Sequence, residues 1–229
     1  MSKARTLLIT GASSGIGAAT ARQAAARNFN LALAARSTDK LEKLAQTLET
    51  DNVKTFACDV TDYAAQEKLI ADAVAAFGSV DAVFANAGSG GEPGGFSSAP
   101  VESWQRIVNT NILGVAYTLR ASLGEIKKHR GHVIITSSIA GRRTLSGSMY
   151  SASKWAVSAI GYNLREELRG TGVRVTLIEP GMVDTPFFDD PKPDALRPDD
   201  VARTVLFALS QPPSVDISEL VVMPTPPTE

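Results

Sequence analysis

The glycine-rich stretch Thr10-Gly11-Ala12-Ser13-Ser14-Gly15-Ile16-Gly17 decides the fold of this chain. It lies between an apolar run, Thr6–Thr10, and an alanine-rich segment with helical character at residues 18–27. The spacing G-x-x-x-G-x-G is close to the fingerprint of a dinucleotide-binding strand–turn–helix unit. Glycine permits a tight turn at the first position, and at the last two it lets a pyrophosphate and the neighbouring strand approach the backbone. A plain flexible turn is the alternative, but a helix start offers free N–H groups to phosphate and favours a nucleotide site.

Short apolar runs alternate with longer amphipathic segments through the rest of the chain. Runs that are apolar on both faces are typical of parallel strands covered by helices on both sides. The sequence therefore predicts one α/β domain over residues 1–229, a Rossmann-type, doubly wound, mainly parallel sheet of about seven strands in three α/β/α layers. The predicted strands are residues 6–10, 31–35, 53–57, 80–85, 132–137, 173–179 and 219–223. The predicted helices are residues 18–27, 38–48, 64–77, 101–129, 151–169 and 199–210.

Composition and charge exclude several classes of protein. The chain has 229 residues, of which 44% are hydrophobic and 21% charged, as in an ordinary globular domain. The 23 Lys and Arg nearly balance the 24 Asp and Glu, so no global positive field attracts nucleic acid or an acidic membrane. The single cysteine, Cys58, excludes an intrachain disulfide framework and a cysteine-rich metal site. No apolar run reaches the roughly 20 residues of a membrane span, and the first strand begins too early for a signal peptide. We expect a cytoplasmic protein with no metal, nucleic-acid or membrane partner.

The end of the second predicted strand indicates which cofactor the glycine loop would hold. An NAD site favours Asp or Glu about 20 residues after the loop, where it binds the ribose hydroxyls. This sequence has Arg36-Ser37 there and no carboxylate. A guanidinium can pair with a phosphate on the 2′ oxygen, and Ser13 and Ser37 can add hydroxyl donors. The residues favour NADP(H) over NAD(H), and the alternative is that Arg36 is a solvated residue at a helix start.

Lys154 is four positions after Tyr150, and this spacing places both on one face of a predicted helix. A phenol, with an ordinary pKa of about 10, is a poor acid or base at neutral pH. A nearby ammonium favours the phenolate and brings the pKa of the phenol towards working range. Alone, such a pair is equally consistent with a solvated helix face.

Further polar residues accompany this pair, and together they make the chain resemble the short-chain dehydrogenase/reductase (SDR) family. The matching pieces occur in the family's order from residue 10 to residue 185. Besides the glycine loop and Tyr150-x-x-x-Lys154, they are Asp59, Asn86-Ala87-Gly88, Asn111, Ser138 and Pro180-Gly181. A departure is Ala85, where the family usually has a second asparagine before Asn86.

The resemblance implies four catalytic residues. Tyr150 is implied as the general acid/base, and Lys154 as the group that lowers its pKa and binds the nicotinamide ribose. Ser138 is implied to hydrogen-bond the substrate oxygen. Asn111 is implied to hold, through its backbone, a water in a proton relay with Lys154. The more usual spacing to the tyrosine would select Ser137, but the Ser-Ile-Ala-Gly motif and the cost of moving a side chain to the other strand face favour Ser138.

The resemblance also implies further cofactor contacts. Asp59 is implied to bind the adenine amino group, with Val60 beside it, and Asn86, Ala87 and Gly88 to flank the cofactor. The nicotinamide carboxamide is implied to contact Pro180, Gly181, Val183 and Thr185. Phe187 and Phe188, in the loop that follows, are open to two interpretations: a lid over the substrate or anchors in the core.

The predicted function is NADP(H)-dependent interconversion of an alcohol and a ketone or aldehyde by hydride transfer. A small hydroxy acid, hydroxy amino acid or simple ketone is the expected substrate, because the chain and its last loop are short. The resemblance implies a homo-oligomer, with a tetramer favoured and a dimer possible, packed partly through residues 101–129 and 151–169. The alternatives are a non-catalytic NADP(H) sensor on the same fold and an epimerase or dehydratase that retains its cofactor.

Overall fold

One seven-stranded sheet runs through residues 4–225, the part of the chain that the computed structural model describes. The strand order is β3-β2-β1-β4-β5-β6-β7, and all six pairings are parallel. The strands are β1 (Thr6–Thr10), β2 (Asn30–Ala35), β3 (Val53–Ala57), β4 (Ala82–Ala85), β5 (His132–Thr136), β6 (Arg174–Pro180) and β7 (Glu219–Val222). The helices are α1 (Gly15–Ala25), α2 (Thr38–Thr47), α3 (Tyr63–Phe77), α4 (Gly95–Ser98), α5 (Val101–Ile107), α6 (Gly114–Lys128), α7 (Met149–Glu167) and α8 (Pro198–Ser210).

The two faces of the sheet form two separate apolar layers. In β1, Leu7 and Ile9 point into one layer and Leu8 into the other, because successive side chains of a strand point to opposite faces. Helices α1, α2 and α8 cover the first face, and α3, α6 and α7 cover the second. The predicted Rossmann-type α/β sheet is confirmed, and the prediction of a mainly parallel sheet is exceeded because every pairing is parallel.

The segment predicted as one helix, residues 101–129, is divided into α5, a π-helical turn at Val108–Leu113 and α6. The apolar pattern continues through the turn, so periodicity alone does not reveal it. Most other elements differ from their predicted bounds by one to three residues at one or both ends. Helix α7, which carries Tyr150 and Lys154, was predicted to begin at residue 151 but begins at Met149. Ser148 caps it by accepting a hydrogen bond from the Ser151 amide. The glycine-rich segment after β4 contains the short helix α4.

The strand order reverses between β1 and β4. The chain moves from β1 outwards to β2 and β3, then returns to β4 on the other side of β1 and continues to β7. Loops that follow neighbouring strands on opposite sides of such a point diverge and leave a crevice at the carboxyl ends of the strands. The glycine loop after β1 and the loops after β4, β5 and β6 meet there.

Candidate active site

A cleft of about 930 Å³ occupies the crevice at the carboxyl ends of the strands. It contains most of the residues that the sequence singles out, from the glycine loop at one end to Tyr150 and Ser138 at the other. The exceptions are Gly17 and Asn111, which do not line it.

The glycine loop has a backbone shape that side chains would obstruct. Gly11 and Gly15 have positive φ angles of 64° and 52°. A Cβ on Gly11 would lie 2.8 Å from the Cα of Ala87, and one on Gly17 would lie 2.4 Å from the Gly11 oxygen. Gly17 therefore serves the close packing of loop and helix and does not face the cleft.

The start of α1 presents unoccupied backbone amides to the cleft. Ser14 occupies the N-cap position with extended backbone, yet no side chain in the described part of the chain caps this helix. The first turn also lacks an acidic residue that could compete for the positive end of the helix dipole. Amides of this kind bind phosphate, so the loop fits the pyrophosphate of a dinucleotide.

Polar groups suited to an adenosine ribose lie at the ends of β2 and β3. Ser13, Arg36 and Ser37 line the cleft there together with Asp59 and Val60. Burial acts to raise the pKa of Asp59, but hydrogen bonds from Thr61 and the charge of Arg36 outweigh it, so this pKa lies below its ordinary value. The carboxylate is therefore ionised at neutral pH and Arg36 lies within its electrostatic reach.

Sequence reasoning missed a second group of cations beside the glycine loop. A groove of about 460 Å³ borders Ser13, Ser14 and Gly15 and is lined by Arg22, Lys40 and Lys43, with Asp199 the single carboxylate among its described lining residues. Lys40 and Lys43 are on α2, which directly follows Ser37. These side chains add positive potential near the end of the cleft that Arg36 occupies, which suits an additional phosphate.

Asn86 joins the ends of three strands. Its side-chain amide donates to the Thr10 oxygen at 3.2 Å, and its side-chain oxygen accepts from the Thr136 hydroxyl at 3.1 Å. Its backbone amide donates to the Thr10 hydroxyl. Ala87 and Gly88 follow it along the cleft wall. Asn86 therefore holds the glycine loop and the ends of β4 and β5 in one arrangement.

Lys154 is nearly fully buried, with 5% of its surface exposed. Its ammonium donates to the Thr136 oxygen at 2.8 Å and lies 5.8 Å from the centre of the Tyr150 ring. Burial lowers the pKa of Lys154 to about 8. The ammonium is thus held in a fixed position against the ring face of Tyr150 instead of its hydroxyl.

Tyr150 is half-buried on the cleft wall, with the Ser138 hydroxyl near its phenol. Burial raises the pKa of Tyr150, and the nearby Ser138 hydroxyl offsets this only in part. The sequence argument expected Lys154 to lower this pKa. In the structure without cofactor, desolvation of the phenolate dominates, so the phenol is protonated at neutral pH.

The two candidate serines at the end of β5 point in different directions. The Ser138 oxygen accepts a hydrogen bond from the Ala140 amide at 3.1 Å, and its hydroxyl lies 3.4 Å from the Pro180 oxygen and contacts Tyr150. The Ser137 hydroxyl donates to the Lys154 backbone oxygen and pairs with Ser158 at 2.8 Å. Ser138 is therefore the serine whose hydroxyl lies near the phenol of Tyr150.

Asn111 is fully buried in the π-helical turn. Its side-chain oxygen accepts from the Ser89 amide at 2.8 Å, and its amide donates to the Ser89 oxygen and to the Ser153 hydroxyl, each at 3.0 Å. A Cβ on Gly88 would lie 3.5 Å from this oxygen and 4.0 Å from the Lys154 nitrogen. Asn111 thus fastens the loop after β4 to α7, one residue from Lys154.

The loop after β6 forms the remaining wall. Pro180, Gly181, Val183 and Thr185 line the cleft, and a Cβ on Gly15 would lie 3.2 Å from the Thr185 methyl. The ring of Phe187 lies 5.6 Å from that of Tyr150, and its surface is 42% exposed. Phe187 is therefore a wall residue and not a core anchor.

Several apolar residues near Tyr150 were not predicted from the sequence, because no motif identifies them. They lie in loops that follow strands or on helix faces turned towards those loops. They are Trp104, Ile107, Leu145, Met149 and Met182. Trp104 also packs edge-on against the ring of Phe96, 5.9 Å between ring centres.

Comparison with known proteins agrees with this geometry. A family model for short-chain dehydrogenases matches residues 5–195. The chain belongs to this family. An uncharacterised oxidoreductase of Staphylococcus haemolyticus is 39% identical over 225 residues, which cover 96% of this chain and 97% of that protein.

Two solved structures of the family are similar over almost the whole chain. An alcohol dehydrogenase from the archaeon Thermococcus sibiricus, complexed with 5-hydroxy-NADP, is 34% identical with a TM-score of 0.91, covering 98% of this chain and 99% of that one. A serine dehydrogenase from Escherichia coli is 33% identical with a TM-score of 0.88, covering 96% and 97%. The chain is therefore an oxidoreductase of the short-chain dehydrogenase family.

Two features are absent from the part of this oxidoreductase that the structure describes. None of the helices among residues 4–225 combines the length and the apolar character needed to cross a membrane. Within the same range, no group of three or more His, Cys, Asp or Glu side chains is arranged to hold a metal ion.

Proposed function

We propose that this protein interconverts an alcohol and a ketone or aldehyde by hydride transfer, with NADP(H) as cofactor. The observation that carries the proposal is that Tyr150, Ser138 and the buried ammonium of Lys154 lie together on the wall of the cleft that also contains the uncapped glycine loop. These groups supply a proton donor, a hydrogen-bond donor for a carbonyl and a phosphate site. A protein that only sensed the nucleotide would need the last of these alone.

The chain's own residues would hold the cofactor along the cleft. The α1 amides and the loop from Gly11 to Ile16 would bind the pyrophosphate, and Asp59 and Val60 would contact adenine. Gly88 and Lys154 would contact the nicotinamide ribose. The carboxamide would contact Pro180, Gly181, Val183 and Thr185. The nicotinamide, when bound, supplies or accepts the hydride.

Arg36 supports NADP(H) as the preferred form of the cofactor. It lines the cleft after β2, where its guanidinium would pair with a 2′-phosphate of the ribose, and the cations of α2 would strengthen the positive potential there. The related alcohol dehydrogenase from T. sibiricus is complexed with an NADP derivative.

Tyr150 would act as the general acid in carbonyl reduction. Its raised pKa keeps the proton on the phenol at neutral pH, which is the form that can donate to a developing alkoxide. Ser138 would donate a hydrogen bond to the same oxygen. Lys154 and the backbone near Asn111 would then return a proton to Tyr150 through water.

The expected substrates are a small hydroxy acid, a hydroxy amino acid or a simple ketone, and one relative is a serine dehydrogenase. We further propose a single domain, a cytoplasmic location and a homo-oligomeric assembly.

Replacing Tyr150 with phenylalanine tests the function. Tyr150→Phe keeps the ring and its contact with Phe187 but removes the proton, so turnover should fall by at least about 100-fold. NADPH binding, measured by fluorescence titration, should change by less than a few fold. Full activity in this variant would contradict the assignment of Tyr150, and tight NADPH binding without turnover of any carbonyl by the wild type would support a sensor.

A further inference from the structure

We propose that the substrate is an uncharged carbonyl compound, or its alcohol, with an apolar body, and that carboxylate-bearing substrates are disfavoured. This inference rests on the proposed function and narrows its set of expected substrates. It keeps the simple ketone and disfavours the hydroxy acid and the hydroxy amino acid. It follows from the side chains that surround Tyr150 on the side of the cleft away from the glycine loop.

The wall around Tyr150 is mainly apolar. Phe187 lies with its ring edge against Tyr150, and a Cβ on Gly90 would lie 3.1 Å from the Phe187 ring. A Cβ on Gly91 would lie 3.4 Å from Ile107 and 4.0 Å from the Tyr150 Cβ. Gly90 and Gly91 thus bring the loop after β4 close to Phe187, Ile107 and the base of the Tyr150 side chain without adding a polar side chain.

The far end of this wall is formed by two loops in contact. A Cβ on Gly95 would lie 3.5 Å from the Cα of Gly147, so the loop after β4 meets the loop that precedes α7. Leu145 lines the cleft from that second loop and is 51% exposed. The hydroxyls here, on Ser146 and Ser148, are uncharged.

Cations are missing from this part of the cleft. Among the described residues that line it, only Arg36 and Lys154 are positively charged. Arg36 lies at the opposite end beside Asp59, and the Lys154 ammonium is bound to the Thr136 oxygen. The charged side chain that does line the substrate end is Glu92, which is negative.

The cations nearest in sequence to this wall, Arg106, Arg142 and Arg143, do not line the cleft. Arg142 pairs with Glu179 and Glu219, and it does not line the cleft. Arg106 pairs with Glu92 at 2.8 Å, and it does not line the cleft either. Lys192 lies 5.6 Å from the Phe188 ring on the outside of the last loop.

These charges decide between the substrate classes. A carboxylate that enters an apolar cleft loses hydration and needs a cation or several hydrogen bonds in return. Here it would meet no cation among the described lining residues of this part of the cleft, and the carboxylate of Glu92, although paired with Arg106, lies on the same wall. A neutral carbonyl needs only the hydrogen bonds of Tyr150 and Ser138, and its apolar part gains from contact with the wall.

The test compares keto acids with their methyl esters. Pyruvate, acetoacetate and levulinate, the three methyl esters and a set of neutral ketones and aldehydes are assayed by NADPH consumption with the wild-type protein. Levulinate is the most informative acid, because its carboxylate is remote from the ketone and alters its reactivity least. We expect kcat/KM to be at least about 10-fold higher for the ester than for the acid in each active pair.

Placing a positive charge on the wall tests whether the missing cation causes the preference for esters over acids. Leu145→Arg should reduce the ester-to-acid ratio by at least about 10-fold, because it supplies the missing partner at an exposed position. Leu145→Met, the uncharged control, should keep the wild-type ratio. Equal or better turnover of the acids, or a ratio that Leu145→Arg leaves unaltered, would overturn the substrate class while leaving the oxidoreductase function in place. No turnover of any of these carbonyls would overturn both.

Discussion

Burial moves the pKa values of Tyr150 and Lys154 in opposite directions, because each group is disfavoured in its charged form. The pKa of Tyr150 is raised, and that of Lys154 is lowered to about 8. Both shifts favour the uncharged form, which is the phenol for Tyr150 and the amine for Lys154. A bound pyrophosphate, with its negative charges, would add a reason for Lys154 to remain protonated.

Lys154 should make the stability of the cofactor-free protein depend on pH. Its pKa is 10.5 in the unfolded chain and about 8 in the folded protein, so the unfolded chain binds more protons between these values. The cost of burying the ammonium is present in full below pH 8. The contribution of Lys154 to the free energy of unfolding therefore rises from pH 8 to 10.5, by about 3 kcal/mol. Chemical denaturation across this range measures it.

Lys154→Met is the matched control for this titration. Cys58, whose pKa burial raises from 9.0 to about 11, destabilises the fold as the pH rises through that range, but it is present in both proteins. The difference in unfolding free energy between wild type and Lys154→Met should therefore shift in favour of the wild type as the pH rises. A difference that stays constant would show that the ammonium is not held in a buried state.

Arg36 should determine the choice between the two nicotinamide cofactors. Arg36→Ala removes the expected partner of the 2′-phosphate, so we expect the Kd for NADPH to rise by about 10-fold or more while that for NADH changes little. Isothermal titration with both cofactors measures this. Equal weakening of both would mean that Arg36 contacts a part that they share, and Lys40→Ala then becomes the variant to compare.

At the scale of the elements, an ionic bridge fastens the catalytic loops to the sheet. Glu179, at the end of β6, is fully buried and pairs with Arg142, which follows the turn after Ser138. Arg142 also pairs with Glu219 on β7. On its other side, Glu179 accepts a hydrogen bond from the Ser158 hydroxyl of α7 at 3.3 Å. The loop after β5, the helix of Tyr150 and the last two strands are thereby joined.

Removing one partner of this ionic bridge should lower the free energy of unfolding more than removing both partners. Arg142→Met leaves the Glu179 carboxylate buried without a cation, which should lower the free energy of unfolding by about 3 kcal/mol. Glu179→Gln combined with Arg142→Met should restore a large part of that loss. Urea denaturation of the two single variants and the double variant completes the cycle, and additive losses would contradict the bridge.

At the scale of the whole molecule, the exposed apolar side chains indicate where copies of the chain would meet. On α7, Trp155 is 49% and Tyr162 40% exposed. On the opposite layer, Phe207 of α8 and Val221 of β7 are 49% and 48% exposed. Apolar residues on two different surfaces would suit two kinds of contact, as a tetramer requires.

Sedimentation velocity should find a species with the mass of four chains. Tyr162→Arg, about two helical turns beyond Lys154, should convert it to a smaller species, because α7 belongs to the expected interface. Glu42→Arg on α2, outside the predicted contacts, is the charge-change control and should leave the mass unaltered. A monomeric wild type would contradict the assembly.

Much of this architecture is readable from short stretches of sequence. The strand and helix pattern, the glycine loop and the Tyr150–Lys154 pair are local, because each depends on residues that are near one another in the chain. The π-helical turn around Asn111 was not predicted, since its stabilising hydrogen bonds go to Ser89 and Ser153, far away in sequence. For the same reason the sequence did not indicate that Trp104 lines the cleft, because only the packing of separate loops brings it there.

The amino-acid sequence by itself determined the family, the order of strands and helices, and the kinds of side chain available for chemistry, because these follow from spacing within single segments. Only the tertiary structure decided that the hydroxyl of Ser138 and not that of Ser137 lies near the phenol of Tyr150, and that burial raises the pKa of this phenol. It also decided that the cleft beside Tyr150 offers no free cation among its described lining residues. Hydrogen-bond direction, desolvation and local charge depend on groups that distant parts of the chain bring together.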